Sequence, residues 1–237
     1  MPKLKLSDLK IYEDEEYLAI NKPPFLSTLE DRNTSVNALN IVRRDYPDAK
    51  VCHRIDKETS GVLLFAKSVE ALSHVSSLFE KRNVKKEYHA VVDSNEPVEM
   101  IRADLPIRVL ANGKVYVDKL KGKESSTIFN TIETYKYHSL VACYPLTGRM
   151  HQIRVHLSYI KIPIVNDELY GGKPFMLSTI KPKFNLKKGT IEESLIKRFA
   201  LHAHSLSFKN LKGEKLKIEA PYPKDFAVLV KQLKVNI

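Results

Sequence analysis

The sequence has few of the residues and segments that mark several large protein classes. Its 237 residues include only two cysteines, Cys52 and Cys143, and both lie in strand-like apolar surroundings. A small buried thiol is therefore expected at each position rather than a disulfide or a metal ligand. No apolar run approaches the roughly 18 residues that a membrane-spanning helix requires, and MPKLKLSDLK does not have the pattern of a secretory leader. We therefore expect a soluble, cytoplasmic protein that does not bind membranes.

Common catalytic and metal-binding motifs are also missing. The sequence contains no G-x-S-x-G, no G-x-x-x-x-G-K-[ST], no H-E-x-x-H and no C-x-x-C. His151 and His156 lie five residues apart, so on a helix their side chains would point about 140° away from each other. His202 and His204 would share one face of a strand, but two ligands alone do not make a metal site. These absences therefore argue against a metal site and against ATP chemistry.

The charge balance is strongly positive. Thirty-nine Lys and Arg residues against 28 Asp and Glu residues give a formal net charge of +11 and a pI near 9.4. Such a charge favours a polyanionic partner, and nucleic acid is the leading candidate. Since 43% of the residues are hydrophobic and no repeat, low-complexity tract or Gly/Ser linker occurs, we expect one compact, monomeric domain over residues 1–237.

Strand patterns outnumber helical ones along the chain. EYLAINKPP predicts a strand that ends at two prolines, and VCH, VLLFAKS and KKEYHAVVD predict three more. Two hairpins are predicted, one from STIFNTIETY with HSLVACYPL and one from FALHAHSLSF with KLKIEAPYP. Helices are predicted after Ser35 as N-cap and from Ser68 to about Phe79, where apolar residues recur at helical spacing. This order of elements predicts an α+β fold rather than a regular βαβ alternation.

The segment HRIDKETSGVLLFAK, residues 53–67, places a carboxylate near cations in a polar, turn-forming patch. Asp56 follows Arg54 by two residues, and the turn KETSG lies between two predicted strands. A short turn of this kind limits the movement of the carboxylate, and Gly61 allows the backbone to bend into the apolar run. The arrangement is unusual for a loop that is merely solvated.

A second dense patch is LTGRMHQIRVHLSYIKIPIVNDELYGG, residues 146–172. A helix with Ile153 and Leu157 on its buried face is predicted after a turn, with His151 and Arg154 on the opposite, polar face. Such a face is usually solvated. The density of arginine and histidine, together with the tight turn that the YGG sequence implies, favours a functional surface instead.

The two patches together resemble the RluA-type family of RNA pseudouridine synthases. The resemblance rests on HRIDKETSGVLLFAK and GRMHQIRVHL, with IYEDEEYLAINKP upstream, KKEYHAVV between them and RFALHAHSLSF near the end, in the family's order. It implies the isomerisation of chosen uridines in structured RNA, either ribosomal or transfer RNA, without cofactor or metal. The implied fold is a mixed, largely antiparallel sheet divided by a catalytic cleft and flanked by helices.

The resemblance also implies roles for individual residues. Asp56 matches the catalytic aspartate, which breaks the glycosidic bond so that the uracil can rotate and rejoin through carbon. Arg54 matches the residue that enters the RNA stack when the target base leaves it. Tyr88 matches the tyrosine that stacks on the uracil, Arg154 the arginine paired with the aspartate, and Leu201 an apolar residue of the pocket. Such a pairing would keep a poorly solvated aspartate ionised.

Arg149 and His151, in the same motif as Arg154, are predicted to contact the RNA. Two positions depart from the family, which usually has glycine where Phe25 and Asn166 stand, and both are expected to shape turns. Only about ten residues precede IYEDE, so no separate N-terminal S4-like RNA-binding domain is expected. Two alternatives stay open: a noncatalytic RNA-binding protein on the same fold, and a carboxylate-nucleophile hydrolase, which the positive charge and the lack of an evident second carboxylate disfavour.

Overall fold

A computed structural model describes residues 4–30, 36–186 and 189–236 of the protein. Within these ranges the chain forms four α-helices and twelve β-strands, besides three short 3₁₀ helices. In chain order they are β1 (Lys10–Glu13), β2 (Tyr17–Lys22), α1 (Ala38–Arg43), β3 (Lys50–Val51), β4 (Ser60–Ala66), α2 (Val69–Glu80), β5 (Lys85–Val92), β6 (Ile101–Asp104), β7 (Ile107–Val109), β8 (Val115–Val117), β9 (Ser126–Thr134), β10 (Ser139–Pro145), α3 (Gln152–Tyr159), β11 (Leu201–Lys209), β12 (Lys215–Glu219) and α4 (Lys224–Val235). None of the helices in the described ranges is both long enough and apolar enough to cross a membrane.

The chain folds as two compact units. The first comprises the residues up to Glu87 together with His202–Pro223, and the second comprises Tyr88–Leu201 together with the residues from Lys224 onward. The sequence gives no linker signal at these boundaries, because the chain passes from one unit to the other within strands and near a helix start.

The first unit is built around β4. This strand pairs antiparallel with β2 and β3 and parallel with β11, while β1 adds to β2 and β12 adds to β11. All seven residues of β4 are buried, as expected of a strand that is covered on both faces. Val62 and Leu64 pack with residues of α2, and Leu63 and Phe65 pack with residues of α1. The alternation of side chains along one strand therefore supplies two cores.

The second unit contains a mainly antiparallel sheet and a separate hairpin. β10 pairs with β5 on one side and β9 on the other, and β6 adds to β9. β7 and β8 pair only with each other among the described strands, and Val155 of α3 packs against Ile107 and Val115 in this hairpin. This contact fixes α3, which carries Arg154 and begins directly after His151, against the hairpin.

The predicted α+β fold with a mixed, largely antiparallel sheet is confirmed. Both predicted hairpins form, as β9 with β10 and β11 with β12. The helix predicted from Ser68 is α2, and the Ser68 hydroxyl accepts a hydrogen bond from the Ala71 amide as an N-cap. Ser35 lies outside the described residues, and the N-cap of α1 is Asn37, whose side chain accepts from the Asn40 amide.

Candidate active site

Asp56 lies in the loop between β3 and β4, and its backbone is held on both sides. Three consecutive carbonyl oxygens in this loop accept hydrogen bonds: Ile55 from the Thr28 hydroxyl at 3.1 Å, Asp56 from the Thr59 amide at 3.1 Å, and Lys57 from the Lys22 ammonium at 3.0 Å. The Asp56 side chain is half-buried, and Ile55 anchors the loop in the core. The expected stiffness of the loop therefore comes from neighbouring backbone groups as much as from the KETSG turn itself.

Lys22, the last residue of β2, supports the Asp56 loop and was not identified from the sequence. Its side chain is 0% exposed, and its ammonium group donates to the carbonyls of Pro23, Leu26 and Lys57 at 3.0, 2.8 and 3.0 Å. A buried ammonium is stable only when its donors are satisfied in this way. One charge thus ties the segment that follows β2 to the segment that carries Asp56. In the sequence, Lys22 is visible only as a lysine at the end of a mostly apolar strand.

Gly61 is required where the Asp56 loop enters β4. Its φ of +115° lies in a region that residues with a side chain rarely adopt, and an added Cβ would lie 2.1 Å from the backbone oxygen of Ala203 on β11. The inference from the sequence that glycine permits the bend is confirmed. The structure adds that β11 approaches too closely for any other residue.

His53 and Arg54, which lie shortly before Asp56, differ in their exposure. Arg54 is exposed, as a residue that inserts into RNA would need to be. The ring of His53 contacts Phe79, and its Nε2 accepts a hydrogen bond from the Leu64 amide at 3.2 Å, so the imidazole is neutral. Burial lowers the pKa of His53 to about 4, with a smaller contribution from the charge of Lys86. Burial also lowers the pKa of Lys86 to about 8.

In the second unit, Arg154 lies on α3 and is buried, although the helical spacing places it on the polar face opposite Ile153 and Leu157. Its Nε and Nη2 donate to the two carboxylate oxygens of Asp167, both at 2.7 Å, and the side chains of the pair are 7% and 1% exposed. The guanidinium carbon lies 4.0 Å from the ring centre of Phe199 and 4.9 Å from that of Tyr170. A planar cation held by two hydrogen bonds and two rings has little freedom to turn.

His151 precedes α3 and extends this arrangement to Tyr170. The His151 backbone has a φ of +53°, and its Nδ1 lies 2.8 Å from the Tyr170 hydroxyl. The ring of Tyr170 also packs edge-on against the imidazole. Tyr170 therefore contacts both His151 and Arg154. Two of the predicted site residues meet on one tyrosine that the sequence pattern did not single out.

Gln152 fixes the loop that carries Arg149. Its side chain is buried, and its Oε1 accepts from the Arg149 amide at 2.9 Å and from the Thr147 hydroxyl at 2.7 Å. Its Nε2 donates to the carbonyl of Ser126 and to the hydroxyl of Thr127. One amide therefore joins the TGR turn to β9. Arg149 itself stays exposed, with its Nε donating to the Glu124 carbonyl at 3.2 Å.

His156 serves the structure of α3. Its Nε2 lies 2.9 Å from the carbonyl oxygen of Leu105, which only accepts, so this nitrogen carries the proton. Its Nδ1 then accepts from the Thr127 hydroxyl at 2.9 Å, and burial lowers the pKa of the imidazole. No group of three or more His, Cys, Asp or Glu side chains that could hold a metal ion occurs within the described ranges.

Tyr88 and Leu201 complete the predicted residues of the second unit. Tyr88 is half-buried at the middle of β5, where it pairs in register with Cys143 of β10. Leu201 is 4% exposed, and its amide donates to the carbonyl of Phe199, the residue whose ring covers Arg154. The second unit thus joins His151, Arg154 and Leu201 through shared contacts. The pairing of Arg154 with Asp56 involves residues of both units and stays a prediction.

Both departures from the family have the backbone expected of a glycine position. The φ values are +66° at Phe25 and +63° at Asn166. The expectation that these positions shape turns is confirmed. Asparagine tolerates this conformation, whereas a bulky aromatic residue there is an outlier.

Comparison with known proteins identifies relatives over most of the chain. A family model described as RNA pseudouridylate synthase matches residues 16–159. Ribosomal large subunit pseudouridine synthase C of Salmonella typhimurium is 34% identical over 223 residues, which cover 91% of this chain and 67% of the relative. The protein of the same name from Vibrio vulnificus is 33% identical over 238 residues, which cover 98% of this chain and 71% of the relative.

Solved structures with the same fold are also found. The structure of Human RNA Pseudouridylate Synthase Domain Containing 4 matches with a TM-score of 0.76 and 25% sequence identity, covering 97% of this chain and 94% of its own. Human RNA Pseudouridylate Synthase Domain Containing 1 matches with a TM-score of 0.71 and 23% identity, covering 99% and 98%. The second similarity concerns the fold alone.

Proposed function

Because this chain belongs to the RNA pseudouridylate synthase family and is an isomerase of that class, we propose that it converts uridines of large-subunit ribosomal RNA to pseudouridine with Asp56 as the catalytic residue. The choice of RNA follows the relatives, which carry ribosomal large subunit in their names. Transfer RNA is the second candidate substrate. The observation that carries the proposal is the Asp56 loop, in which three consecutive carbonyls are held by hydrogen bonds.

The proposed chemistry begins by extruding the target nucleotide, since a uridine within a helix hides its glycosidic bond. Arg54, which is exposed, fills the vacated position in the stack, and Tyr88 stacks on the extruded uracil. Asp56 acts as an anion, either attacking the sugar or removing a proton from it. The bond between the sugar and the ring nitrogen breaks, the uracil rotates, and a bond forms from the same sugar carbon to a ring carbon. That ring carbon loses its proton, the released ring nitrogen takes up a proton, and Asp56 returns to the free carboxylate.

Residues of the second unit supply the remaining roles in this proposal. The Arg154 guanidinium, which Asp167, Phe199 and Tyr170 hold in place, is proposed to pair with the Asp56 carboxylate. Leu201 lines the pocket for the base. Arg149 and His151 contact the RNA, and the exposure of Arg149 supports a contact with phosphate.

The test is to map pseudouridines in total RNA from cells with the gene, without it, and with Asp56→Asn in its place. We expect one or more sites in large-subunit ribosomal RNA to depend on the intact gene and to be absent with Asp56→Asn, which removes the anion and preserves the shape. Sites lost only from transfer RNA would support the second candidate. Wild-type levels of pseudouridine with Asp56→Asn would refute the catalytic role, and bound RNA without any dependent site would support a noncatalytic RNA-binding protein.

A further inference from the structure

Phe25 combines a strained backbone with an exposed aromatic side chain. It follows Pro24 in the turn after β2, and its φ is +66°. A turn with proline first and a positive φ second follows the type II pattern, in which the second central residue is normally glycine or asparagine. The side chain of Phe25 is 54% exposed, so packing in the core does not account for the phenyl group. Strain that the fold does not require points to a role in function.

The neighbours of Phe25 are fixed, and this explains how the strain is maintained. Pro24 has a fixed φ of about −65°, and Leu26 is buried in the core of the first unit. The carbonyls of Pro23 and Leu26 both accept from the Lys22 ammonium. The ring of Phe25 is therefore presented from a rigid turn, and little conformational freedom is left to lose when it binds a partner.

The turn that carries Phe25 lies beside the Asp56 loop. The same Lys22 ammonium bonds to Leu26, next to Phe25, and to Lys57, next to Asp56. A second contact joins the same two segments, because the Thr28 hydroxyl donates to the Ile55 carbonyl. These contacts lie within one compact unit and bring the segment that contains Phe25 against the segment that contains the proposed catalytic residue.

We propose that Phe25 contacts the substrate RNA by stacking on an unpaired nucleobase near the target uridine; this inference rests on the proposed function. Every base has a flat face, and stacking on an aromatic side chain is the common way in which proteins bind single-stranded RNA. The net charge of +11 favours RNA over an apolar protein partner for an aromatic group at this place. The contact needs no charge on Phe25 and leaves phosphate recognition to other residues.

The test compares Phe25→Gly with Phe25→Trp. The control is Tyr137→Ala, because Tyr137 is another exposed aromatic residue, 51% exposed, and lies in the second unit. Affinity is measured across salt concentrations with a fluorescein-labelled oligouridine and with transcribed large-subunit ribosomal RNA, and thermal unfolding is followed in parallel. We expect Phe25→Gly to bind about 5- to 150-fold more weakly. Its salt dependence should be unchanged because no phosphate contact is lost. Its unfolding temperature should be equal to or above that of the wild type because glycine relieves the strain.

Phe25→Trp should retain affinity within about threefold because tryptophan also stacks, and Tyr137→Ala should bind as the wild type does. Wild-type affinity for Phe25→Gly would overturn the inference. So would an equal loss of affinity in Phe25→Gly and Phe25→Trp together with lower unfolding temperatures, because that result assigns Phe25 a structural role. Pseudouridine formation is scored separately, so a wild-type protein that binds RNA without modifying it would refute the proposed function and still test Phe25.

Discussion

The buried pair of Arg154 and Asp167 allows a sharp test of how this protein holds its proposed active-site arginine. Asp167→Asn keeps the shape of the side chain and removes its charge. Of the two carboxylate oxygens that accept from Arg154, one becomes an NH2 group that faces another donor. Arginine does not lose its proton in proteins, so the guanidinium stays charged while 7% exposed.

Removing one partner of a buried ion pair costs about 3–5 kcal/mol, because it leaves a desolvated charge without its counterion. The free energy of unfolding of a typical domain is about 5–15 kcal/mol. Asp167→Asn should therefore remain folded at 25 °C but lose a large part of its stability. The double substitution Arg154→Met with Asp167→Leu leaves no buried charge without a counterion. It should therefore recover much of the free energy of unfolding that Asp167→Asn loses. The double variant should nevertheless stay inactive, since the arginine is gone.

The assay is urea unfolding together with single-turnover pseudouridine formation at saturating enzyme. Asp225→Asn is the matched control, because Asp225 also accepts two hydrogen bonds from an arginine, Arg198, at 2.7 and 3.2 Å in the same unit. The Arg198 side chain is 0% exposed, but its guanidinium keeps acceptors in the carbonyls of Phe199 and Leu201, and Asp225 is 30% exposed, so this variant should lose less stability and keep its turnover rate. An unchanged urea midpoint for Asp167→Asn would refute the reasoning about the buried pair, and a turnover rate as high as that of Asp225→Asn would refute the role of Asp167 in holding Arg154.

Two further predictions concern the first unit. Lys22→Met should lower the free energy of unfolding by about 3 kcal/mol and the turnover rate as well, because three carbonyls lose a charged donor and the Asp56 loop loses a support; wild-type urea midpoints and rates would contradict this. The pKa of His53 is about 4 in the folded protein, whereas its ordinary value is 6.5. As the pH falls, the imidazole of the unfolded chain therefore becomes protonated at a higher pH than the imidazole of the folded protein. The stability that the neutral imidazole contributes is therefore full above pH 6.5 and is lost towards pH 4, by up to about 1.4 kcal/mol per pH unit. His53→Gln should flatten the fall of urea midpoint over this range, and an unchanged fall would contradict the assignment.

The fold could be predicted from the sequence where a local signal and the tertiary structure agree. Ser68 caps α2, and the apolar spacing behind it continues to Phe79, one residue before the helix ends at Glu80. The hairpin of β11 and β12 follows from two strand patterns around a turn that contains Gly213. Strands β6, β7 and β8 were not predicted, because they are three or four residues long and partly exposed, so the alternation of apolar and polar residues is too short to detect.

The candidate site could be predicted only as a set of residues. The motifs selected Asp56 and Arg154, and a resemblance of this kind assigns roles to positions. It does not say what holds those side chains. Lys22 and Gln152 each combine near partners with distant ones, the carbonyl of Lys57 for Lys22 and the carbonyl of Ser126 for Gln152, and such distant partners leave no pattern along the chain.

The helix α3 shows why a local pattern failed at the site itself. The spacing of Ile153 and Leu157 predicts one buried face and places Arg154 on the opposite, polar face, and the general rule is that such a face is solvated. That rule holds only while no other element offers hydrogen bonds to the polar face. Here Asp167 supplies a carboxylate to Arg154, and Thr127 supplies a hydroxyl to His156, so both faces are buried without leaving these polar groups unsatisfied. A polar residue that a fold buries and satisfies in this way is held in one orientation, and the proposed pairing of Arg154 with Asp56 requires that property.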